Sequence, residues 1–359
     1  MAQDQAIRYQ IFEDNNDEMV FKPIQNLTAP QSLPQSLPQN LIAPKFKIPE
    51  IYNDMLLKSL QNPSAPQSLS VPEIHKEVSL DIQPAENDIM GRIQQYIAER
   101  NPGLVILTPC YGSAAFVPYM ESLIQTFSMC KDLGLRMKIH FCRNDSLVSR
   151  ARNNLIAKAM SDTSTTHMMF IDADITWEPV DILKLLLADK GVVGGLYPIK
   201  NYNWTNISSD PNFYSSLLRR KENSQLKNAM SDLDFLKTNM VKYNVNYEST
   251  TLNVNNNIAK VKHLATGFMM IKREVIETMY RGYPNTKYTD DVGFLHGAEN
   301  DYAYALFDCG VEEGHYFSED WLFCHRWSKM GGGVYIDVTI NLDHTGIETF
   351  KGSYISSVL

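Results

Sequence analysis

The stretch "HMMFIDADITWEP", His167 to Pro179, decides how the rest of the chain is read. Met168 to Ile171 form a short continuous apolar run, the mark of a strand buried on both faces of a sheet. Two carboxylates, Asp172 and Asp174, stand at its exit with only Ala173 between them. A turn tolerates one acid cheaply, but two acids at the end of a buried strand call for something positive. Mg²⁺ or Mn²⁺ suits them, because a hard cation takes oxygen ligands and is often shared between a few carboxylates and substrate phosphates. Asp174 would face the metal. Asp172, on the same side by the strand period of two, would hold a ribose hydroxyl or a metal-bound water. The structural alternative is a cap on the helix starting near Glu178-Pro179, which Asp174 alone could supply.

Outward from this stretch, strands and helices alternate. "GLVILTPCYG" (103–112), "RMKIHFCRND" (136–145) and "GVVGGLYPIK" (191–200) read as strands. Between and around them, 87–100, 117–134, 146–162 and 178–189 have helical spacing. The order predicts an α/β fold of Rossmann-like type, with a mostly parallel central sheet and helices on both faces. Ligands of such sheets gather at the carboxyl ends of the strands. Pro109-Cys110-Tyr111, Asn144-Asp145-Ser146 and the paired acids all fall at such ends.

The first 87 residues differ from the rest. "APQSLPQSLPQNLIAP" (Ala29 to Pro44) recurs in part as "APQSLSVPE" (Ala65 to Glu73). Dense proline with Gln and Ser offers little to bury, so residues 1–87 read as a flexible low-complexity arm, with a short helix near Ile51 to Leu60. Residues 88–359 read as one catalytic unit. It is interrupted at about 201–262 by a polar, Asn-rich insertion that ends in a hairpin-like pair.

Composition narrows the chemistry. Of 359 residues, 44% are hydrophobic and 21% charged, which suits a globular protein with a sizeable core. The net charge of −8 argues against a phosphate-tracking surface and hence against nucleic acid as partner. No apolar run approaches the roughly 18 residues of a membrane span, and the first residues lack the layout of a signal peptide. Cys110, Cys130, Cys142, Cys309 and Cys324 form no CxxC pair. They read as reduced thiols in a cytoplasmic setting, without structural zinc.

Three further groups have residue types suited to a site. His344, in "NLDHTG", is either a third metal ligand or a satisfied structural histidine. Glu319 and Asp320, in "SEDW", would cap a helix behind Ser318, and either could be a general base. In "RNDSLVSRARNNL", Arg143, Arg150 and Arg152 could clamp a diphosphate or form a solvated basic face. No Walker-type or dinucleotide glycine pattern is present.

Taken in order, "ILTPCYG", "NDSLVSRARNNL", "FIDADITWEP", "VVGGLYPIK", "ATGFMMIKREV", "SEDWLFCHRW" and "LDHTG" resemble nucleotide-sugar glycosyltransferases of the GT-A fold. The likeness is to family 2-like members of viruses, phages and bacteria, and it runs from about Leu104 to Gly352. It implies that Pro109 and Tyr111 line the base pocket and that Asp145 contacts base or ribose. Arg152 and Asn153 would match the family's RN pair beneath the donor, and Asp172 and Asp174 its DxD motif, which binds ribose and the metal-diphosphate. Gly267 and Phe268 would match the turn beside donor sugar and acceptor. Asp320, or else Glu319, would be the base of an inverting transfer, and His344 the late metal ligand. The resemblance further implies Mn²⁺ or Mg²⁺ as cofactor and a UDP- or GDP-linked sugar as donor. The acceptor would be a glycan, lipid or protein hydroxyl, and the setting the cytoplasm, that of a host if a virus encodes the chain. The insertion departs from the family core and leaves the acceptor open. A nucleotidyltransferase, a sugar-nucleotide hydrolase and a non-catalytic carbohydrate-binding or virion protein are the alternatives. The first would want a basic, Gly-rich loop after the first strand, where "TPCYGSAAF" has only Gly112.

Overall fold

The computed structural model describes residues 9–13, 19–23, 78–80, 89–210, 212–223, 230–249 and 252–348. The chain divides into two units, Met1–Val71 and Pro72–Leu359. In the first, β1 (Tyr9–Glu13) and β2 (Met19–Pro23) pair antiparallel, with Ile11 opposite Phe21. The Pro/Gln/Ser repeats and the helix expected near 51–60 lie outside the described residues.

The second unit begins with β3 (Val78–Leu80), α1 (Ile89–Arg100), β4 (Gly103–Cys110), α2 (Val117–Asp132), β5 (Arg136–Arg143) and α3 (Val148–Ser161). It continues with β6 (His167–Ile171), β7 (Ile175–Thr176), α4 (Pro179–Ala188) and β8 (Val192–Gly194). The insertion supplies α5 (Thr205–Ser209), α6 (Phe213–Glu222), α7 (Asp232–Met240), β9 (Val245–Asn246), β10 (Leu252–Asn255) and β11 (Ile258–Val261). The last part holds β12 (His263–Leu264), β13 (Phe268–Lys272), α8 (Arg273–Gly282), β14 (Gly310–Glu312), β15 (His315–Phe317), α9 (Glu319–Lys329), β16 (Val334–Asp337) and β17 (Asp343–His344).

Nine strands form the central sheet in the order β3-β10-β11-β16-β8-β13-β6-β4-β5. All but β11 and β13 share one direction, so the sheet is mostly parallel, as expected. The period of two explains how a strand such as β6 can be apolar throughout. Met168 and Phe170 join one core with Leu155 of α3, Ile276 of α8 and Phe323 of α9. Met169 and Ile171 join the other with Ile93 of α1, Leu123 of α2 and Leu183 of α4. Helices therefore cover both faces.

One expectation is corrected. The strand read through Lys200 ends at Gly194, because Gly194 and Gly195 pass too close to their neighbours for side chains. A Cβ on Gly194 would lie 2.1 Å from the Phe268 carbonyl oxygen, and one on Gly195 2.6 Å from Ile340. The chain leaves the sheet there, carrying Tyr197 and Lys200 over its carboxyl edge. The hairpin that ends the insertion, β10 with β11, belongs to the central sheet. β11 pairs with β16, and the β10–β11 turn uses Asn256 and Asn257 at φ 48° and 66°. Asparagine tolerates that left-handed conformation, which tight hairpins require. At the outer edge β3 pairs in parallel with β10, Ser79 opposite Asn253, inside the stretch read as an arm.

The shared direction fixes where chemistry can collect. β4, β5, β6 and β8 all end on one edge, at Cys110, Arg143, Ile171 and Gly194. β13 runs the other way, so its start at Phe268, opposite Ile171, lies on that same edge.

Candidate active site

Arg152 is the centre of the edge. The helix α3 that follows β5 carries it under the end of β6, where it is only 4% exposed. Its Nη1 and Nη2 donate to Asp172 Oδ1 and Oδ2 at 3.0 and 3.3 Å, and its Nε donates to Glu319 Oε1 at 3.3 Å. Burial alone would lower its pKa, but the charges of Asp172 and Glu319 outweigh that and raise it. One guanidinium thus ties the acid pair after β6 to the acid pair opening α9. Of the clamps read from "RNDSLVSRARNNL", Arg152 is committed to protein carboxylates. Arg150 is committed to Asp145, donating from Nε and Nη2 at 2.9 and 2.8 Å.

Asp172, expected at the donor ribose and the metal, has both carboxylate oxygens on Arg152. Its backbone N–H donates to the Gly267 carbonyl at 3.0 Å. Gly267 is needed there, since a Cβ would lie 2.5 Å from the Tyr197 hydroxyl and 2.8 Å from Asp172 Oδ2. The Tyr197 hydroxyl accepts from the Gly267 N–H at 3.2 Å and closes the ring of contacts.

Asp174 has different partners. Its Oδ2 accepts from Lys200 Nζ at 2.5 Å and lies 3.5 Å from His344 Nε2. Burial would raise its pKa, but His344 and Lys200 hold it below the usual carboxylate range. The capping role open to it is filled otherwise, because the Glu178 N–H at the start of α4 donates to Asp181 Oδ2 at 3.1 Å. β17 pairs with β7, His344 opposite Ile175, and so brings a residue 170 positions away by number beside the acid. His344 Nδ1 donates to the Pro198 carbonyl at 2.8 Å, which fixes the ring with Nε2 on the side of Asp174. That pairing of a fixed imidazole with a persistent carboxylate fits a divalent cation shared with substrate oxygens. It does not fit a cage of protein ligands: among the described residues no three His, Cys, Asp or Glu side chains converge on one point.

Asp320 is buried, and its neighbours are neutral donors. Its Oδ1 accepts from the Ser318 hydroxyl, and from the Trp321 N–H at 2.8 Å. Burial, with the charge of Glu319 added, raises its pKa against those two bonds. The Ser318 hydroxyl turns to Asp320 and makes no bond to the α9 backbone, so the expected side-chain cap is absent.

The other expected residues are spread along the edge. Tyr111 is 76% exposed beyond β4, and Pro109 is half-buried in it. Asp145 also accepts the Leu147 N–H at 2.9 Å; burial would raise its pKa, but these bonds hold it low. Asn153 is buried with both ends of its amide on the Phe307 backbone, donating at 2.6 Å and accepting at 2.9 Å, so it straps a loop and does not face the site. The Phe268 side chain is wholly buried in the core, leaving only its backbone at the edge. Tyr197 and Lys200 were not anticipated. The Gly-Gly and Pro of "GGLYPIK" were the available signal that the strand stops short of them.

Among the described residues no helix is long and apolar enough to cross a membrane. The five cysteines are free, and only Cys309 is exposed. No family model and no curated protein matches the chain. Among solved structures, A197 from STIV is similar over 68% of this chain and 86% of its own, at 14% identity and a TM-score of 0.37. 4-Diphosphocytidyl-2C-methyl-D-erythritol synthase from Anaerococcus prevotii DSM 20548 is similar over 64% of this chain and 99% of its own, at 11% identity and a TM-score of 0.26. Similarity this distant says nothing about chemistry.

Proposed function

We infer that the chain is a metal-dependent glycosyltransferase that moves a sugar from a nucleotide-diphosphate donor to an acceptor hydroxyl, with inversion. One observation carries the reading. The two acids that Arg152 does not engage have environments that push their pKa values apart. Asp174, beside Lys200 and His344, is held below the usual carboxylate range; Asp320, buried beside neutral donors, is raised above it. Carboxylates pushed apart in this way commonly divide the roles at an active site, and here Asp174 is read as the anion that holds the cation and Asp320 as the base.

Asp174 and His344 would hold Mn²⁺ or Mg²⁺, which as a Lewis acid would improve the diphosphate as a leaving group. Asp320 accepts the proton of the acceptor hydroxyl as its oxygen bonds to the anomeric carbon. The bond from that carbon to the phosphate oxygen breaks, and the nucleoside diphosphate leaves from the opposite face. Arg152 keeps Asp172 and Glu319 in place, which leaves Asp320 as the acid of its pair that accepts no hydrogen bond from the guanidinium. Asp172 would then present oxygen to the donor ribose, and exposed Tyr111 would stack on the base. The donor would be UDP- or GDP-linked and the acceptor a glycan, lipid or protein hydroxyl. The setting proposed for the transfer is the cytoplasm.

The test is binding of UDP, GDP, CDP and ADP with and without Mn²⁺, for the wild type and for Asp174→Ala. Mn²⁺-dependent binding of one of them, lost in the variant, is the expected result. Equally tight binding by the variant would remove the metal from Asp174.

A further inference from the structure

We propose that Lys200 is a resident counter-ion of the Asp174–His344 pair, and that a divalent cation binds there only by displacing it. The proposal rests on the metal reading just given and concerns what fills the position before the metal arrives. Three groups meet at one oxygen. Lys200 Nζ lies 2.5 Å from Asp174 Oδ2, and His344 Nε2 lies 3.5 Å from the same atom. A metal bonded to that oxygen and to Nε2 would be in contact with the ammonium. Two positive charges at that separation repel strongly in a half-buried setting.

The lysine is seated. Its stem crosses Gly346, where a Cβ would come within 2.6 Å of Lys200 Cδ, and its ammonium lies 6.0 Å from the centre of the Phe116 ring. Phe116 is itself fixed next to the acids, its N–H donating to the Ala173 carbonyl at 2.9 Å. The backbone around Lys200 is tied down, because the Ile199 N–H donates to the Lys242 carbonyl and the Asn201 N–H to the Ile199 carbonyl, both at 2.7 Å. The preceding Pro198 carbonyl orients His344. The backbone therefore stays while the side chain leaves, and at 36% exposure with a stem of freely turning bonds it has somewhere to go. Asp174 is never left bare, because one cation is exchanged for another.

The experiment is a Mn²⁺ titration of the full chain, with free metal read from its electron paramagnetic resonance signal. It compares the wild type with Lys200→Met and Lys200→Arg. Lys200→Met should bind Mn²⁺ about tenfold to a hundredfold tighter, and Lys200→Arg no tighter than the wild type. Without metal, Lys200→Met should melt lower than the wild type and should gain more from added Mn²⁺. Should Lys200→Met fail to fold, Gly346→Val provides a second reading, since it dislodges the stem and keeps the charge; it too should tighten Mn²⁺. Equal binding by wild type and variants would overturn the displacement and leave the metal site standing. Failure of every protein to bind Mn²⁺ would overturn both.

Discussion

A guanidinium as deeply buried as Arg152 is stable only because two carboxylates face it, so removing it strands Asp172 and Glu319 together. Arg152→Met should lower the folding free energy by about 3–5 kcal/mol in urea melts, the usual penalty for breaking a buried ion pair. A loss below about 1 kcal/mol would mean that solvent already screens the cluster. Gly267→Ala tests the same locality without charge. Its methyl would press on the Tyr197 hydroxyl and Asp172, so nucleotide binding should weaken while the protein stays folded. Asp320 gives the opposite sign for stability. A carboxylate whose folded pKa is raised contributes stability at low pH that is lost as pH rises through that pKa. Asp320→Asn removes this penalty and keeps an oxygen for Ser318 and Trp321, so at neutral pH it should melt no lower than the wild type, and higher if the bonds persist. The paired acids could be read from the sequence because a buried strand announces its own end. Lys200 and Tyr197 could not, because their distance from Asp174 and Gly267 is set by the path after the strand, which periodicity does not describe.

At the scale of elements, the alternation of apolar runs and helical spacing was sufficient to read the mostly parallel sheet, since each buried strand must fill a core on both faces. The antiparallel placement of β13 between β6 and β8 was not legible: "GFMMIK" is as apolar as its neighbours, and strand direction leaves no mark on composition. The same limit hid the joining of β10 and β11 to the central sheet, since their alternating "LNVN" and "IAKV" fit a free hairpin equally well. Asn153 illustrates the converse. Its neighbour Arg152 serves the site, while Asn153, one residue on, turns to the Phe307 backbone. Asn153→Ala should cost roughly 1–3 kcal/mol for the buried Phe307 groups left unpaired. β3 allows a sharper test by truncation. A chain starting at residue 72 retains β3 and should melt close to the full chain. One starting at residue 82 exposes the edge of β10 and should melt lower, by about 2–4 °C if the strand contributes about 1 kcal/mol. Identical melting of the two would show that β3 adds nothing to the sheet.

Among the described residues, half-buried His140 is pushed down to about 4 by burial, and two fully buried imidazoles share that shift, His167 at 6% and His263 at 3% exposure. Burial pushes both down to about 4, with nearby Lys272 and Lys262 adding to the effect. The unfolded chain takes up protons near pH 6.5 that the folded one refuses, so stability is full above that value and falls as pH drops from about 6.5 to about 4. Each group contributes up to about 1.4 kcal/mol per pH unit. In His263→Gln one group's share of that slope should vanish from urea melts across the window, and an unchanged slope would mean that His263 is protonated in the fold. The acids behave otherwise, because the fold gathers them on one sheet edge and gives each a different companion. In the proposed reaction this division of labour transfers a sugar, with Asp320 as base. The direct measurement is transfer to an acceptor, followed beside donor hydrolysis, for the wild type and Asp320→Asn, with nucleotide and Mn²⁺ binding recorded on the same samples. Intact binding and a fall in transfer of roughly 10²- to 10⁴-fold are the expected result. Unchanged transfer in the variant would contradict it.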